Sequence, residues 1–385
     1  MPLEQPVHFP ELKQRNVFSV ISSPEIKESK LIFVTDMEGP QVLGDTVAEV
    51  ISQKILHGDI IYRRIYDWYT EATSSRRRTK GVRRPEGLPP LSAQEGTDIL
   101  FTLPLLLATD TDERFIQEVA MEYKRTPGSH QLLEYLKNEG ALVVGVTTSL
   151  VGPNKVIGRE IGLDDVIGTP FPLDQAGKIL KESGKYKSEI ALVNSFLSDC
   201  NNIIEEHGEY SDILKERIGR FYEKELSISY DYEVRKERNG HKTVIGAMIE
   251  EIGVVGDRSK AAVALALKRS KLIKGGFLVT IGDGTNDAVM LGLPGARLSI
   301  ALNGGPVKEA KIGVITNDVS VLIFLIKIAQ ENPSMDIDTL IKEAQKVVGN
   351  RAIIHKGGQG VSSELIEKHK KMKEFLRGQT GNLVP

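Results

Sequence analysis

The chain has 385 residues, more than one hydrophobic core usually serves, so two lobes or a core carrying large inserts is expected. It is 40% hydrophobic and 26% charged with a formal net charge of −2, which gives no basis for a general affinity for nucleic acid or anionic membrane. A single cysteine, Cys200, excludes an internal disulfide and suits a reducing compartment; its polar SDCNN setting, with no histidine close by, argues against a catalytic thiol.

Residues 1–29 are polar and proline-bearing, and read as an irregular lead-in without the basic start and apolar run of an export signal. The expected location is the cytoplasm. Residues 31–35 form a strand. Residues 45–72 carry helical periodicity with a break at Gly58, 73–97 read as a basic loop, and 98–124 as helix again. The segment TPGSHQLLEYLKNEGALVVGVTTSL (126–150) is a turn, an amphipathic helix and a buried strand. A helix is expected near 154–162, a connection over 171–188 and one or two helices over 189–225. Residues 226–254 read as two strands around the Asn239-Gly240 turn. A helix (259–270), strands at 275–281, 296–302 and 311–316, and helices at 318–330, 336–346 and 363–377 complete the chain. The longest apolar runs, ILFTLPLLLA and VSVLIFLIKIA, are too short to span a bilayer, so no membrane partner is expected. Strand–helix alternation at both ends implies an α/β fold with a mostly parallel sheet, and the stretches between are cap-like inserts.

Four places carry chemistry. In LIFVTDMEGP an apolar strand runs into Asp36 and Glu38, where an open α/β sheet binds its ligands. Paired acids there suit a hard cation and proton transfer; a strand-ending turn in which Asp36 caps the backbone accounts for the same residues. FLVTIGDGTNDAVML repeats the pattern with Asp283 and Asp287, and two acid-bearing strand ends make a better magnesium site than one. LVVGVTTSL ends in Thr147, Thr148 and Ser149, hydroxyls fit to bind phosphate oxygens or to cap a helix. Lys260 stands at a helix start, against the helix dipole, which suits a charge meant for an anionic substrate.

In that order the pieces resemble the motifs of the haloacid dehalogenase (HAD)-like hydrolases, and RTPGSHQLLEYLKNEGALVVGVTTS is similar to the phosphoserine phosphatase-type members. DMEGP and LPLLLATDTDERF also resemble an archaeal group of predicted HAD phosphatases known as energy-converting hydrogenase A subunit R. The resemblance implies a Rossmannoid core over 30–45, 125–170 and 255–330. It also implies a helical cap over 46–124, a second α+β insert over 171–254 and a helical extension over 331–385. It implies Asp36 as nucleophile, Glu38 as acid and base, and Thr147, Thr148, Lys260 and Asn286 as phosphate ligands. Mg²⁺ would be held by Asp36, the Glu38 main-chain carbonyl and Asp283, with Asp287 nearby. The usual acid/base residue is aspartate, and here it is Glu38.

The expected activity is a Mg²⁺-dependent phosphomonoesterase for a small phosphorylated metabolite, with an aspartyl-phosphate intermediate; phosphotransfer remains open. The alternative is a non-catalytic subunit of a larger, hydrogenase-type complex. A homo-oligomer or larger assembly is compatible with either. An ion-pumping ATPase is excluded by the missing membrane helices and DKTGT motif. The basic run Arg76, Arg77, Arg78, Lys80, Arg83 and Arg84 reads as a solvated loop more than a nucleic-acid site. Tyr62, Tyr66, Trp68 and Tyr69 read as cap core.

Overall fold

The computed structural model describes residues 29–77, 95–229, 243–269 and 273–378. Strand β1 (Ser29–Asp36) sends Leu31 and Phe33 into one apolar cluster and Ile32 and Val34 into another, as the two-residue period of a strand requires. The chain leaves the core through β2 (Val42–Leu43) and builds α1 (Thr46–Lys54), whose N-cap Asp45 accepts from Ala48 N–H. The helical break falls just before Gly58, at His57 with φ 55°, and Gly58 opens α2 (Gly58–Arg77). A 3₁₀ turn (Thr97–Thr102), α3 (Leu103–Ala108) and α4 (Glu113–Met121) follow. Strand β3 (Lys124–Arg125) then pairs antiparallel with β2, clasping the outgoing and returning ends of this insert.

Back in the core lie α5 (Ser129–Asn138), β4 (Leu142–Leu150), α6 (Val151–Ile161) and β5 (Asp165–Thr169). A second excursion contains α7 (Leu173–Glu182), α8 (Tyr186–His207), α9 (Asp212–Arg220) with a π-helical turn (Phe221–Glu225), and α10 (Val244–Glu251). The chain returns through α11 (Asp257–Arg269), β6 (Ile273–Gly282), α12 (Ala288–Leu291), β7 (Leu298–Leu302) and β8 (Ile312–Thr316). It ends with α13 (Leu322–Glu331), α14 (Ile337–Val348), β9 (Ala352–Lys356) and α15 (Ser363–Gly378).

The main sheet runs β5-β4-β1-β6-β7-β8-β9, every neighbouring pair parallel except β8 with β9. Strand β1 is central, and the chain crosses to β4 on one side before filling the other, so the strand order reverses beside it. The crevice outside the carboxyl ends at such a point is the usual ligand site. Residues of both excursions share one apolar cluster, in which Trp68 and Phe101 meet Phe196, Phe221 and Tyr222. Trp68, Phe101 and Tyr222 pack ring on ring, with centroids 5.0–5.3 Å apart, so Trp68 and Tyr69 are lobe core as the sequence suggests.

Four expectations change. The strand expected over TVIGAMI is a helix, α10, while its expected partner arm and the Asn239-Gly240 turn fall largely outside the described residues. The connection expected over 171–188 contains α7. The extension expected to be helical also supplies the edge strand β9. Helix α2 continues to Arg77, past the expected loop start, and the rest of the basic run, Arg78, Lys80, Arg83 and Arg84, lies outside the described residues. No helix among the described residues is long and apolar enough to cross a membrane.

Candidate active site

Asp36 ends β1, Asp283 directly follows β6, and Thr147, Thr148 and Ser149 lie near the end of β4. Because β1 sits between β4 and β6, all arrive at one sheet edge. The turn after β1 depends on Gly39, which has φ 107°; a Cβ there would fall 2.4 Å from Asp283 Cγ. Glycine is what lets the DMEGP loop lie against Asp283.

Lys260, in the first turn of α11, is fully buried. Its Nζ lies 2.9 Å from Asp36 Oδ1 and donates to Asp287 Oδ1 at 2.8 Å. The other oxygen of Asp287 accepts from the N–H groups of Asp283 and Gly284, both at 3.0 Å. Asp287 thus fixes both the lysine and the GDG turn. Burial and the Asp287 carboxylate push Asp36 well above the usual carboxylate range, against the pull of Lys260. Burial works against the Lys260 ammonium, yet Asp287 and Asp36 outweigh it and raise its pKa.

Asp36, Asp283 and Asp287 each bring a carboxylate oxygen within 4.8 Å of the others. Buried, convergent, all-oxygen donors suit a hard divalent cation, so the residues fit the magnesium that the sequence leads one to expect. Both oxygens of Asp287 already have partners, which leaves Asp36 and Asp283 as the more available ligands.

Glu38 stands apart from that group. Its Oε2 accepts from Thr147 Oγ1 at 2.8 Å and its Oε1 from Asn154 Nδ2 at 3.3 Å. Its carboxyl is raised by burial and by nearby Asp45. The sequence puts Thr147 among the phosphate ligands; in the structure its hydroxyl donates to Glu38, and Thr147 is not among the residues that line the cavity. Thr148 and Ser149 do line the cavity, and Asn286 Nδ2 donates to Thr148 Oγ1 at 2.9 Å, leaving a buried Asn286 Oδ1 without a partner.

The cavity holds about 280 Å³ and is walled by core and helical lobe together. Tyr62 and Tyr66 of α2 reach into it, so these rings, expected as cap core, also face the site. Tyr62 donates to Asp45 at 3.3 Å. Tyr66 and Thr285 both donate to Glu95 Oε1, at 2.9 and 3.0 Å, tying the lobe to the GDGT turn.

Sequence reasoning missed one whole wall. Lys373 and Arg377 of α15 line the cavity and converge on Asp283. Lys373 Nζ donates to the Asp283 carbonyl at 3.1 Å and lies 3.5 Å from Oδ2; Arg377 donates to that Oδ2 at 3.2 Å. Helix α15 is held by His369, whose Nδ1 accepts from Gly304 N–H at 2.9 Å and whose Nε2 meets His355 Nε2 at 2.8 Å. His369, Lys373 and Arg377 are spaced four apart on one helix face, and that stripe was the available signal.

The same shape occurs in a gene product of Archaeoglobus fulgidus (AF1437), with a TM-score of 0.64 and 19% identity over 92% of this chain and 99% of that one. That likeness shows the fold: a mostly parallel α/β sheet with helical inserts, the architecture that the resemblance in the sequence leads one to expect. A phosphoserine phosphatase solved as a phospho-aspartyl intermediate analogue aligns at a TM-score of 0.36 with 15% identity, over 74% of this chain and 93% of its own. A HAD family hydrolase from Salmonella enterica serovar Typhi aligns at 0.39 with 13% identity, over 74% and 66%. These two are too distant in shape to add to the first. No protein-family model matches the sequence, and no curated protein matches it.

Proposed function

We propose that the chain is a Mg²⁺-dependent phosphomonoesterase that acts on a small phosphorylated metabolite through a phosphoaspartyl enzyme. The observation that carries this reading is the buried cluster of Asp36, Asp283 and Asp287 around Lys260, placed where β1 and β6 end and facing a metabolite-sized cavity. A charged group of this kind is costly for folding alone, since burying ions seldom stabilises more than well-packed apolar residues.

Magnesium held by Asp36, Asp283 and the Glu38 main-chain carbonyl would neutralise phosphoryl charge and align the phosphorus with the nucleophile. In this reading Asp36 attacks phosphorus while Glu38 gives its proton to the departing alkoxide. The hydrogen bonds from Thr147 and Asn154 hold the Glu38 carboxyl, so Thr147 acts as a positioning residue. Glu38 then takes a proton from water, which attacks the phosphoaspartyl phosphorus and restores Asp36. Lys260, Thr148 and Asn286 meet the phosphoryl oxygens as charge builds.

The test is phosphate release from p-nitrophenyl phosphate and a panel of phosphorylated metabolites, with Mg²⁺ or with EDTA, for wild type and Asp36→Asn. Turnover is expected only with metal, and Asp36→Asn should lower it by at least about a thousandfold. A folded, metal-binding protein with no turnover on any ester would favour the non-catalytic subunit instead.

A further inference from the structure

We propose that Lys373 and Arg377 of the C-terminal helix α15 complete the phosphoryl-binding site, resting on Asp283 until magnesium and phosphate arrive. The inference rests on the reading of this cavity as a phosphate-ester site, and names residues outside every motif that suggested it.

The placement of charge points there first. Asp36, Asp283 and Asp287 are opposed by Lys260 from below and by Lys373 and Arg377 from the cavity side. There three acids face three bases, and the rest of the cavity lining adds the acids Glu38, Asp45, Glu95 and Asp98 and the base Arg63. A divalent cation at Asp36 and Asp283 would take the place of Lys373 and Arg377 on the Asp283 carboxylate and leave both in the cavity wall beside it. A phosphoryl dianion on that cation would come within reach of both, because they already rest one carboxylate away from Asp36.

The placement is also built. Gly304 N–H donates to the buried His369 ring, and the next position on that helix face, Lys373, packs its stem over Gly304, where a Cβ would lie 3.1 Å from Lys373 Cδ. A helix that merely covered the surface would need neither the histidine anchor nor this close approach. The lobe's share of the lining mixes the acids Asp45, Glu95 and Asp98 with Arg63, whereas α15 contributes cations alone, Lys373 and Arg377. Arginine suits the task because its planar fork matches two phosphoryl oxygens at once.

The experiment is calorimetric titration of the magnesium-loaded full-length chain with inorganic phosphate, for wild type, Lys373→Gln, Arg377→Gln and Arg377→Lys, with magnesium affinity measured in parallel. Each glutamine variant should weaken phosphate binding by about tenfold or more, and Arg377→Lys by less. Circular dichroism confirms that each variant is folded. Failure of wild type to bind phosphate overturns the proposal, as does unchanged phosphate affinity in both glutamine variants. Tighter magnesium binding without loss of phosphate affinity also overturns it, making the helix a competitor of the metal. Comparing phosphoglycerate with glycerol phosphate separates a remote anion site: a changed preference with unchanged phosphate affinity counts against the proposal. Phosphate binding is read without turnover. An enzyme that binds phosphate through these residues yet hydrolyses nothing therefore sinks the phosphatase reading alone, and an active enzyme indifferent to both substitutions sinks this one alone.

Discussion

At the scale of single residues, the site is a set of charges that tolerate burial only in each other's company. Lys260 is the clearest case, enclosed between Asp36 and Asp287 with no exposure to water. Lys260→Met keeps much of the bulk but strands two carboxylates, and should destabilise the protein by about 3–5 kcal/mol. Urea unfolding checks this, and a loss below about 1 kcal/mol would mean that the acids are neutral or hydrated without the lysine. Gly39→Ala probes the metal site without replacing a ligand. The added methyl is aimed at the Asp283 carboxyl from a backbone with φ 107°, so magnesium affinity should fall by about 10–100-fold. Unchanged affinity in a magnesium titration would remove Asp283 from the ligand set. Asp36, Glu38, Asp283 and Asp287 were legible in the sequence because acids just past an apolar strand are out of place, and Lys260 because a cation at a helix start opposes the dipole. Lys373 and Arg377 were not, because cations on a charged helix look solvated whatever they face.

Individual elements show where periodicity carries information and where it vanishes. The strands β1, β4 and β6 could be read because apolar runs ended abruptly at polar turns. Helix α10 could not, since Val244 to Glu250 are all buried and a helix buried all round shows no period. Its start is set from afar: Glu189 of α8 accepts from the N–H groups of Val244 and Ile245, at 2.7 and 2.9 Å. Glu189→Gln should therefore cost about 1–2 kcal/mol in urea unfolding, an effect absent if Thr243 caps the helix sufficiently alone. Strands β5 and β9 escaped notice as short edge strands, and α7 because Gly177 interrupts its pattern. Helix α15 carries a pH dependence. Burial, then the neighbouring His355, lowers the His369 pKa to about 4. The folded chain keeps this imidazole neutral while the unfolded chain takes up its proton. The stability it brings is complete above about pH 6.5 and drains away as acid approaches pH 4. The unfolding midpoint should fall across that window in wild type and fall less in His369→Gln; equal slopes would assign the effect elsewhere.

For the molecule as a whole, the two excursions are one lobe, because Phe101 from the first and Phe196, Phe221 and Tyr222 from the second fill a common interior. Sequence order separates these segments, so periodicity within each could not reveal that they share a core. The one tryptophan, Trp68, stacks on Tyr222 at 5.3 Å inside that core, so its fluorescence reports the lobe. Tyr222→Ala should destabilise the lobe by about 3–5 kcal/mol and move the fluorescence transition to lower urea. If the lobe and sheet are one cooperative unit, circular dichroism will shift with it. A dichroism curve that stays in place while fluorescence moves would show the lobe unfolding by itself.

This shared interior has a consequence during synthesis. Tyr222 donates to the Phe101 carbonyl across a sequence separation of 121 residues, so the first insert leaves the ribosome well before its partner exists. At about 5–20 residues per second, its apolar face waits on the order of ten seconds before it can be covered. Nascent chains halted between the two inserts should therefore bind chaperones or hydrophobic dyes strongly, and chains halted after α10 should not.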